Sequence, residues 1–124
     1  MKKLKKRSIS LITVCIAALC MILCAANVSA AEKKCGDNLT WSIDSSAVLT
    51  ISGTGDMYSY TYFDREGKTD APWEDYTIHS VVIEEGVTSV GSAAFWGCET
   101  LSIVQLPENL IRIESNAFYS CTGL

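Results

Sequence analysis

Few side chains in this chain of 124 residues are of types that carry out chemistry. Cys98 with His79, the sole histidine, is the only pair of nucleophile and base that the sequence suggests. A nucleophilic thiol needs partial exposure and a lowered pKa, whereas the pattern around Cys98 places its side chain inside the fold. We therefore expect no catalytic residues and no enzyme activity.

Metal binding has no better support from the sequence. The acids of the segment 64–70 surround Gly67, faintly like a calcium loop, but two basic residues interrupt them, and calcium needs several oxygen ligands at regular spacing. No CxxC motif is present, so the usual ligand spacing of a zinc site is missing too. We expect a solvated turn at 64–70, with no metal and no other cofactor.

Aromatic residues in the segment 56–77 are candidates for binding. Tyr60, Tyr62 and Phe63 could stack on sugar rings or form a protein-binding hot spot, and they could equally fill space against the repeats that follow. Both interpretations stay open, and we keep Tyr60 and Tyr62 as candidate binding residues. Trp73 and Tyr76 lead into the repeats and are predicted to pack.

The element that positions these residues is a repeat. From residue 78 the segment IHSVVIEEGVTSVGSAAFWGCET is followed by LSIVQLPENLIRIESNAFYSCTG, and Leu124 begins the pattern again. Phe118 lies 118 − 95 = 23 residues after Phe95, and Cys121 lies 121 − 98 = 23 residues after Cys98. A fixed period of roughly 20–29 residues with apolar anchors is typical of a leucine-rich-repeat solenoid, whose units bury their apolar faces by stacking.

Each copy of the repeat predicts one coil. In the first copy (78–100) a short strand turns Val81 and Ile83 inward, and the second copy (101–123) repeats this pattern. The segment 93–95 is predicted to form a single helical turn. Side chains on the outward strand positions are free to contact partners, and we predict binding there by Ser80, Val82, Ile103 and Gln105.

The first 30 residues are typical of a secretory signal peptide, with a basic start, an apolar run at 9–26 and small residues at 28–30. An uncleaved membrane anchor is the alternative. Without this segment the chain holds 5 basic and 14 acidic residues, a balance of 5 − 14 = −9. Such an acidic surface argues against nucleic-acid or membrane binding and favours basic partners.

Three cysteines follow the predicted signal peptide, and two of them are equivalent in the repeat. Cys98 and Cys121 should lie one above the other in the interior, either as free thiols in a ladder of small buried side chains or as a disulfide between coils. We expect free thiols and leave the disulfide open. The third, Cys35, precedes the repeats.

Two β-prone runs around the polar turn 44–46 predict a β-hairpin before the repeats. A hairpin alone is marginally stable, and the first coil of a solenoid needs a cap. The hairpin is therefore predicted to be the N-terminal cap. The sequence thus divides into a signal peptide (1–30), a cap (31–77) and a repeat region (78–124).

The copies resemble the repeat unit of BspA-like bacterial leucine-rich-repeat proteins, LxxVxIPxxVxxIGxxAFxxCxx. The matching residues are Ile78, Val81, Ile83, Val87, Val90, Gly91, Ala94, Phe95 and Cys98 in the first copy, and Leu101, Val104, Leu106, Pro107, Leu110, Ile113, Ala117, Phe118 and Cys121 in the second. The segments CGDNLTW, LTISGTGDM and APW are similar to the N-terminal part of exported members. Glu84 and Glu114 depart from the proline and glycine of the unit, and FDREGKT looks like an insertion.

This resemblance implies a curved solenoid with a strand-lined concave face. With the period, it predicts a leucine-rich-repeat solenoid of short β-strands and helical turns, with 23-residue repeats and an N-terminal β-hairpin cap. It also implies an exported bacterial protein, secreted or on the cell surface, that binds extracellular proteins or surface ligands and in some members acts in adhesion. The resemblance transfers no catalytic residues.

We therefore expect an adhesion or interaction module that does not insert in membranes once the signal peptide is cleaved. Two alternatives stay open. The repeats could be the non-catalytic leading segment of a truncated exported cell-wall or peptidase-type enzyme, or the chain could be a remnant of a longer protein. An open apolar face on the last coil also predicts self-association.

Overall fold

The computed structural model describes residues 33–63 and 65–124, and the predicted signal peptide (1–30) lies outside these described residues. The described part of the chain is built from strands and turns, with no helix. It accordingly has no helix long and apolar enough to cross a membrane. The strands are β1 (Lys34–Gly36), β2 (Leu39–Ile43), β3 (Val48–Gly53), β4 (Gly55–Asp56), β5 (Tyr62–Phe63), β6 (Lys68–Thr69), β7 (Ser80–Ile83), β8 (Val87–Val90), β9 (Ile103–Gln105) and β10 (Arg112–Ile113).

The main sheet has five strands in the order β1-β2-β3-β7-β9. The predicted hairpin is present, since β2 and β3 pair antiparallel with Trp41 opposite Ile51. Its turn is held by Asp44, whose carboxylate accepts hydrogen bonds from the backbone N–H groups of Ser46 (2.8 Å) and Val48 (3.1 Å). The hairpin therefore joins the repeats through its second strand.

The strands of the two copies continue this sheet in parallel. Strand β3 pairs with β7, with Leu49 opposite Val81, and β7 pairs with β9, with Ser80 opposite Ile103. A second, parallel sheet has the order β10-β8-β4. It takes β10 from the second copy, β8 from the first copy and β4 from the cap. Strands β5 and β6 form a separate small hairpin.

The core lies behind the main sheet and follows from the period of two along each strand. In β7 the inward side chains Val81 and Ile83 are fully buried, and their neighbours Leu49 and Ile51 on β3 are buried as well. Apolar side chains from β8 and the turns after it close the other side of the core. The hairpin thus covers the first copy, as the capping prediction requires.

Three aromatic rings form a stack through this core. Trp73 stacks on Phe95 with ring centroids 5.4 Å apart, and Phe95 stacks on Phe118 at 5.1 Å. The indole N–H of Trp73 donates a buried hydrogen bond of 2.8 Å to the carbonyl of Ala94. The pairing of Phe95 with Phe118 that the repeat predicts is present, and Trp73 extends it toward the cap.

The prediction of a helical turn at 93–95 is corrected by the structure, because this segment forms successive turns instead. Ala93 has a φ of 52°, in the left-handed region, and Asn116 at the equivalent position of the second copy has a φ of 59°. One left-handed residue interrupts a right-handed helix. Hydrogen bonds such as those from Ala94 N–H to Gly91 and from Trp96 N–H to Ala93 close the turns.

Replacing Phe95 by alanine is expected to destabilise the protein by about 3–5 kcal/mol, the usual cost of deleting a large buried aromatic side chain. Phe95 is fully buried between two rings, so its loss also separates Trp73 from Phe118. Thermal unfolding followed by circular dichroism measures the effect. Phe63→Ala, at a ring that is 48% exposed, is the matched control, and an equal loss in both variants would contradict the role of the stack.

Candidate interaction surface

The outward side chains of the main sheet form rows that run across the strands. One row consists of Ser42, Thr50, Val82 and Gln105, as the pairing of β2, β3, β7 and β9 requires. The next row contains Val48, Ser80 and Ile103. The four strand residues predicted to bind partners are therefore brought together on one face.

This outward face is uncharged across β2, β3, β7 and β9 and carries hydroxyl, methyl and amide groups. Ile103 is 61% exposed, while Ser80 and Val82 are half-buried between their neighbours. Because the hairpin was predicted only to be a cap, Ser42 and Thr50 were not predicted to lie on this outward face. The alternation of apolar and polar residues along the two hairpin strands indicated their position, since it turns both side chains outward.

Tyr60 lies away from the sheet face. Its ring packs edge-on against Trp73 with centroids 5.5 Å apart, and its backbone N–H donates to the carbonyl of Ser92. Its hydroxyl is buried with no hydrogen-bond partner among the described residues, and burial raises its pKa. Of the two interpretations left open for Tyr60, this placement favours packing between the cap and the first copy, and binding by Tyr60 stays a prediction.

Tyr62 belongs to a second aromatic stack, on the outside of the core. The β5–β6 hairpin places its ring on Trp96, with centroids 4.2 Å apart and planes 10° apart. Trp96 in turn stacks on Tyr119 at 4.2 Å and 19°. The stacking of Trp96 on Tyr119 was missed, although the repeat keeps an aromatic ring at this position in both copies. Tyr119 is 55% exposed, whereas Trp96 is buried. We call Tyr62, Trp96 and Tyr119 the outer stack.

Polar contacts between the copies explain several identities in the repeat. The hydroxyl of Ser92 donates to the carbonyl of Ser115 at 2.9 Å, across 23 residues. The carboxylate of Glu85 accepts a hydrogen bond of 2.9 Å from the backbone N–H of Glu108, again 23 residues away. These side chains satisfy backbone groups of the following copy, which the strands alone leave unpaired.

The exposed large apolar side chains include several of the second copy, with Ile111 being 73% exposed. Others in this copy are Ile103, Leu106, Ile113 and Tyr119. Of these, Ile103 lies on the outward face of the main sheet and Tyr119 belongs to the outer stack. Self-association through the last coil stays a prediction.

Asp56 joins three parts of the second sheet. Its carboxylate accepts a hydrogen bond from the Thr88 hydroxyl at 2.7 Å and pairs with the guanidinium of Arg112 at 2.8 Å. Hydrogen bonds from Thr88, Ser89 and Arg112 hold its pKa below the ordinary value. The contact connects the cap, the first copy and the second copy across 56 residues.

Because the folded pKa of Asp56 is lowered, its stabilising effect is present above the ordinary value of 3.8 and is lost as the pH falls through the folded value. We expect Asp56→Asn to lower the melting temperature slightly at neutral pH, the contact being exposed, and not at strongly acidic pH. Melting curves of both proteins across this range measure the difference. Asp75→Asn removes the same charge without such contacts, and an identical pH profile for the two variants would contradict the assignment.

The three described cysteines are free thiols. The thiol of Cys121 donates to the carbonyl of Phe95 at 3.0 Å, and burial raises the pKa of Cys98 to about 12. A thiol with such a pKa is protonated at neutral pH, unlike a nucleophilic cysteine. No hydrogen bond joins Cys98 and the His79 side chain among the described contacts.

Alkylation of Cys98 by iodoacetamide at neutral pH is expected to be about a thousandfold slower in the folded than in the unfolded protein, since only the thiolate reacts and its pKa rises from 9.0 to about 12. Mass spectrometry of timed, digested samples measures the rate at each cysteine. Cys35, whose pKa burial raises to about 12 as well, is the internal comparison. Rapid labelling of Cys98 alone in the folded protein would contradict this and favour a reactive thiol.

The parallel strands and repeated turns define the class of protein, which is a leucine-rich-repeat fold. Residues 72–124 match the family model described as a BspA type leucine rich repeat region (6 copies). The repeat region of this chain therefore belongs to the BspA-type leucine-rich-repeat family.

A solved structure supports the same family. The chain is similar to a leucine-rich repeat protein from Eubacterium ventriosum, with a TM-score of 0.61 and 30% identity over 68% of this chain. The match covers 22% of the Eubacterium protein, so the chain spans about a fifth of its length. A comparison with curated proteins gave no significant match.

Proposed function

We propose that this chain is a secreted or surface-displayed bacterial protein-binding module, and that partners dock on the outward face of its main sheet. The observation that carries this proposal is the uncharged rows of side chains centred on Thr50 and Val82. Because side chains alternate along a strand, these positions can change while the buried partners Leu49 and Val81 stay the same. The BspA-type family supports the same kind of function.

We further propose that the two copies are successive coils of a solenoid with a period of 23 residues. Three kinds of contact support this: parallel pairing of Ser80 with Ile103, stacking of Phe95 on Phe118, and hydrogen bonds across 23 residues such as that from Ser92 to Ser115. In this arrangement each coil adds one strand to the binding face. The binding face grows by a fixed step with each added coil.

The size of the face sets an expectation for affinity. With strands about 4.8 Å apart and a rise of about 3.3 Å per residue, the rows across the four strands β2, β3, β7 and β9 span roughly 15 by 15 Å. That flat area of about 225 Å² is well below the roughly 800 Å² per partner of a standard interface. The described coils are therefore expected to bind weakly, and neighbouring surfaces must contribute to any tight complex.

Val82→Lys tests this docking face, because it places a charge in the middle of the uncharged rows. We expect binding to immobilised extracellular matrix proteins or whole bacterial cells to weaken at least tenfold, since a lysine would be desolvated at the contact. Surface plasmon resonance or cell binding of the labelled protein measures the change.

The matched control for Val82→Lys is Thr77→Lys, which adds the same charge at an exposed residue outside the strands. Melting temperatures of both variants separate a folding defect from a binding defect. If the two variants bind equally well, the main sheet is not the docking face.

A further inference from the structure

The second copy has a free side, opposite to the side that contacts the first copy. Core positions that are closed in the first copy are open here: Ile83 is 1% exposed but its equivalent Leu106 is 42% exposed, and Val90 is fully buried but its equivalent Ile113 is 49% exposed. In the first copy these positions are covered by the second copy. The face of another coil is therefore what covers such a side in this fold. We call the free side of the second copy the open face.

The backbone of the open face has a row of unpaired donors. In the first copy the N–H groups of Ala93, Phe95 and Gly97 donate to carbonyl groups of the second copy at 3.1, 2.8 and 2.8 Å. The equivalent N–H groups of the second copy have no hydrogen-bond partner among the described residues. They belong to Asn116, Phe118 and Ser120.

The open face also has a row of acceptors, on a different side of the same coil. In the first copy the carbonyl of Thr88 accepts a hydrogen bond of 2.8 Å from Ile111, and the carbonyl of Val90 accepts one of 2.9 Å from Glu114. The equivalent carbonyls on the open face are those of Ile111 and Ile113. The acceptors thus lie along β10 and the donors along the turns that follow it.

Strand β9 forms the third side of the open face, and it pairs only with β7 among the described strands. Ser80 in β7 directs its N–H away from β9, to the carbonyl of Ala47. Because successive residues of a strand direct their backbone groups to opposite neighbours, Val81 bonds to β9, and Val104 points to the free edge. Two antiparallel β9 strands centred on Val104 would therefore exchange both N–H···O bonds at this residue.

From this geometry we infer that the open face binds the open face of a second copy of this chain, giving a dimer with two-fold symmetry. The axis passes between the two Val104 residues, perpendicular to the main sheet, and β9 pairs antiparallel with β9 of the other molecule. Rotation about this axis exchanges the other two sides of the coil. It therefore sets the donor row of each molecule against the β10 carbonyls of the other, and covers Leu106 and Ile113.

The arrangement of the open face selects this occupant over a single extended peptide. Such a peptide could pair with β9, but it would leave the donor row on the other side of the coil unpaired. The charged side chains on either side of Ile113 do not oppose the contact, since Arg112 and Glu114 already form an ion pair of 2.6 Å with each other. A second open face supplies the strand edge, the carbonyls and the apolar side chains together.

The dimer goes beyond the docking face proposed above and does not depend on it. Because the axis is perpendicular to the main sheet, both outward faces stay exposed and lie on the same side. The two five-stranded sheets become one continuous sheet. Val82→Lys, which tests the docking face, is accordingly expected to leave the dimer unchanged.

Sedimentation velocity of the protein over concentrations from about 10 µM to about 1 mM, a range suited to a small interface, tests the dimer. We expect a monomer that converts to a dimer as the concentration rises. Ile113→Lys is expected to weaken the dimer by roughly tenfold or more, because it brings an ammonium group into the contact.

The matched control for Ile113→Lys is Ile111→Lys, which adds the same charge to the same sheet edge. The side chain of Ile111 is 73% exposed, and its equivalent Thr88 contacts Asp56 outside the core. This variant is expected to dimerise within about twofold of the original protein, since its side chain points away from the contact. Melting temperatures verify that both variants are folded.

Amide hydrogen exchange followed by nuclear magnetic resonance tests the geometry of the contact. Exchange at Val104 and Phe118 is expected to slow as the dimer forms, while exchange at Asp75, away from the open face, stays the same. A monomer at every concentration, equal weakening by both lysine variants, or a dimer without protection of Val104 would each overturn the inference. Growth into species larger than a dimer would instead assign the open face to head-to-tail contact with the other sheet edge, β1.

Discussion

The stack of Trp73, Phe95 and Phe118 is the contact on which the other elements depend. Each copy has only short strands and turns, so it cannot bury its own apolar side chains without a neighbour. The ring of Phe95 is covered on one side by the cap and on the other by the second copy. The hydrogen bond from Trp73 to Ala94 fixes this contact in register, and the strand pairing follows from that register.

The cap explains where the two copies differ. A Cβ atom on Gly91 would lie 1.8 Å from the carbonyl oxygen of Tyr58, so the first copy needs glycine where the cap backbone passes closest. The second copy faces the first copy instead of the cap, and its equivalent residue, Glu114, turns toward Arg112. The departure of Glu114 from the family pattern therefore reflects its different neighbour.

Contacts that follow from the period were predictable from the sequence, and contacts that depend on a loop were not. Alternation along β7 predicted that Val81 would be buried and Val82 would face outward. No pattern in the sequence indicated that Tyr62 would reach Trp96, because an irregular hairpin determines that contact. The turn at Ala93 was missed for another reason, since alanine rarely adopts a positive φ; its counterpart Asn116 is a residue type that does.

The outward face proposed for docking differs in charge from the turns at its two ends. The outward rows of the main sheet are uncharged, while acids occupy the turns at both ends of the strands. These acids are Glu74, Asp75 and Glu99 before the strands, and Glu84, Glu85 and Glu108 after them. Charges at the rim of an interface act mainly on the association rate and the choice of partner. Acids at both ends of a neutral face would therefore favour partners with basic side chains at the edge of an uncharged contact.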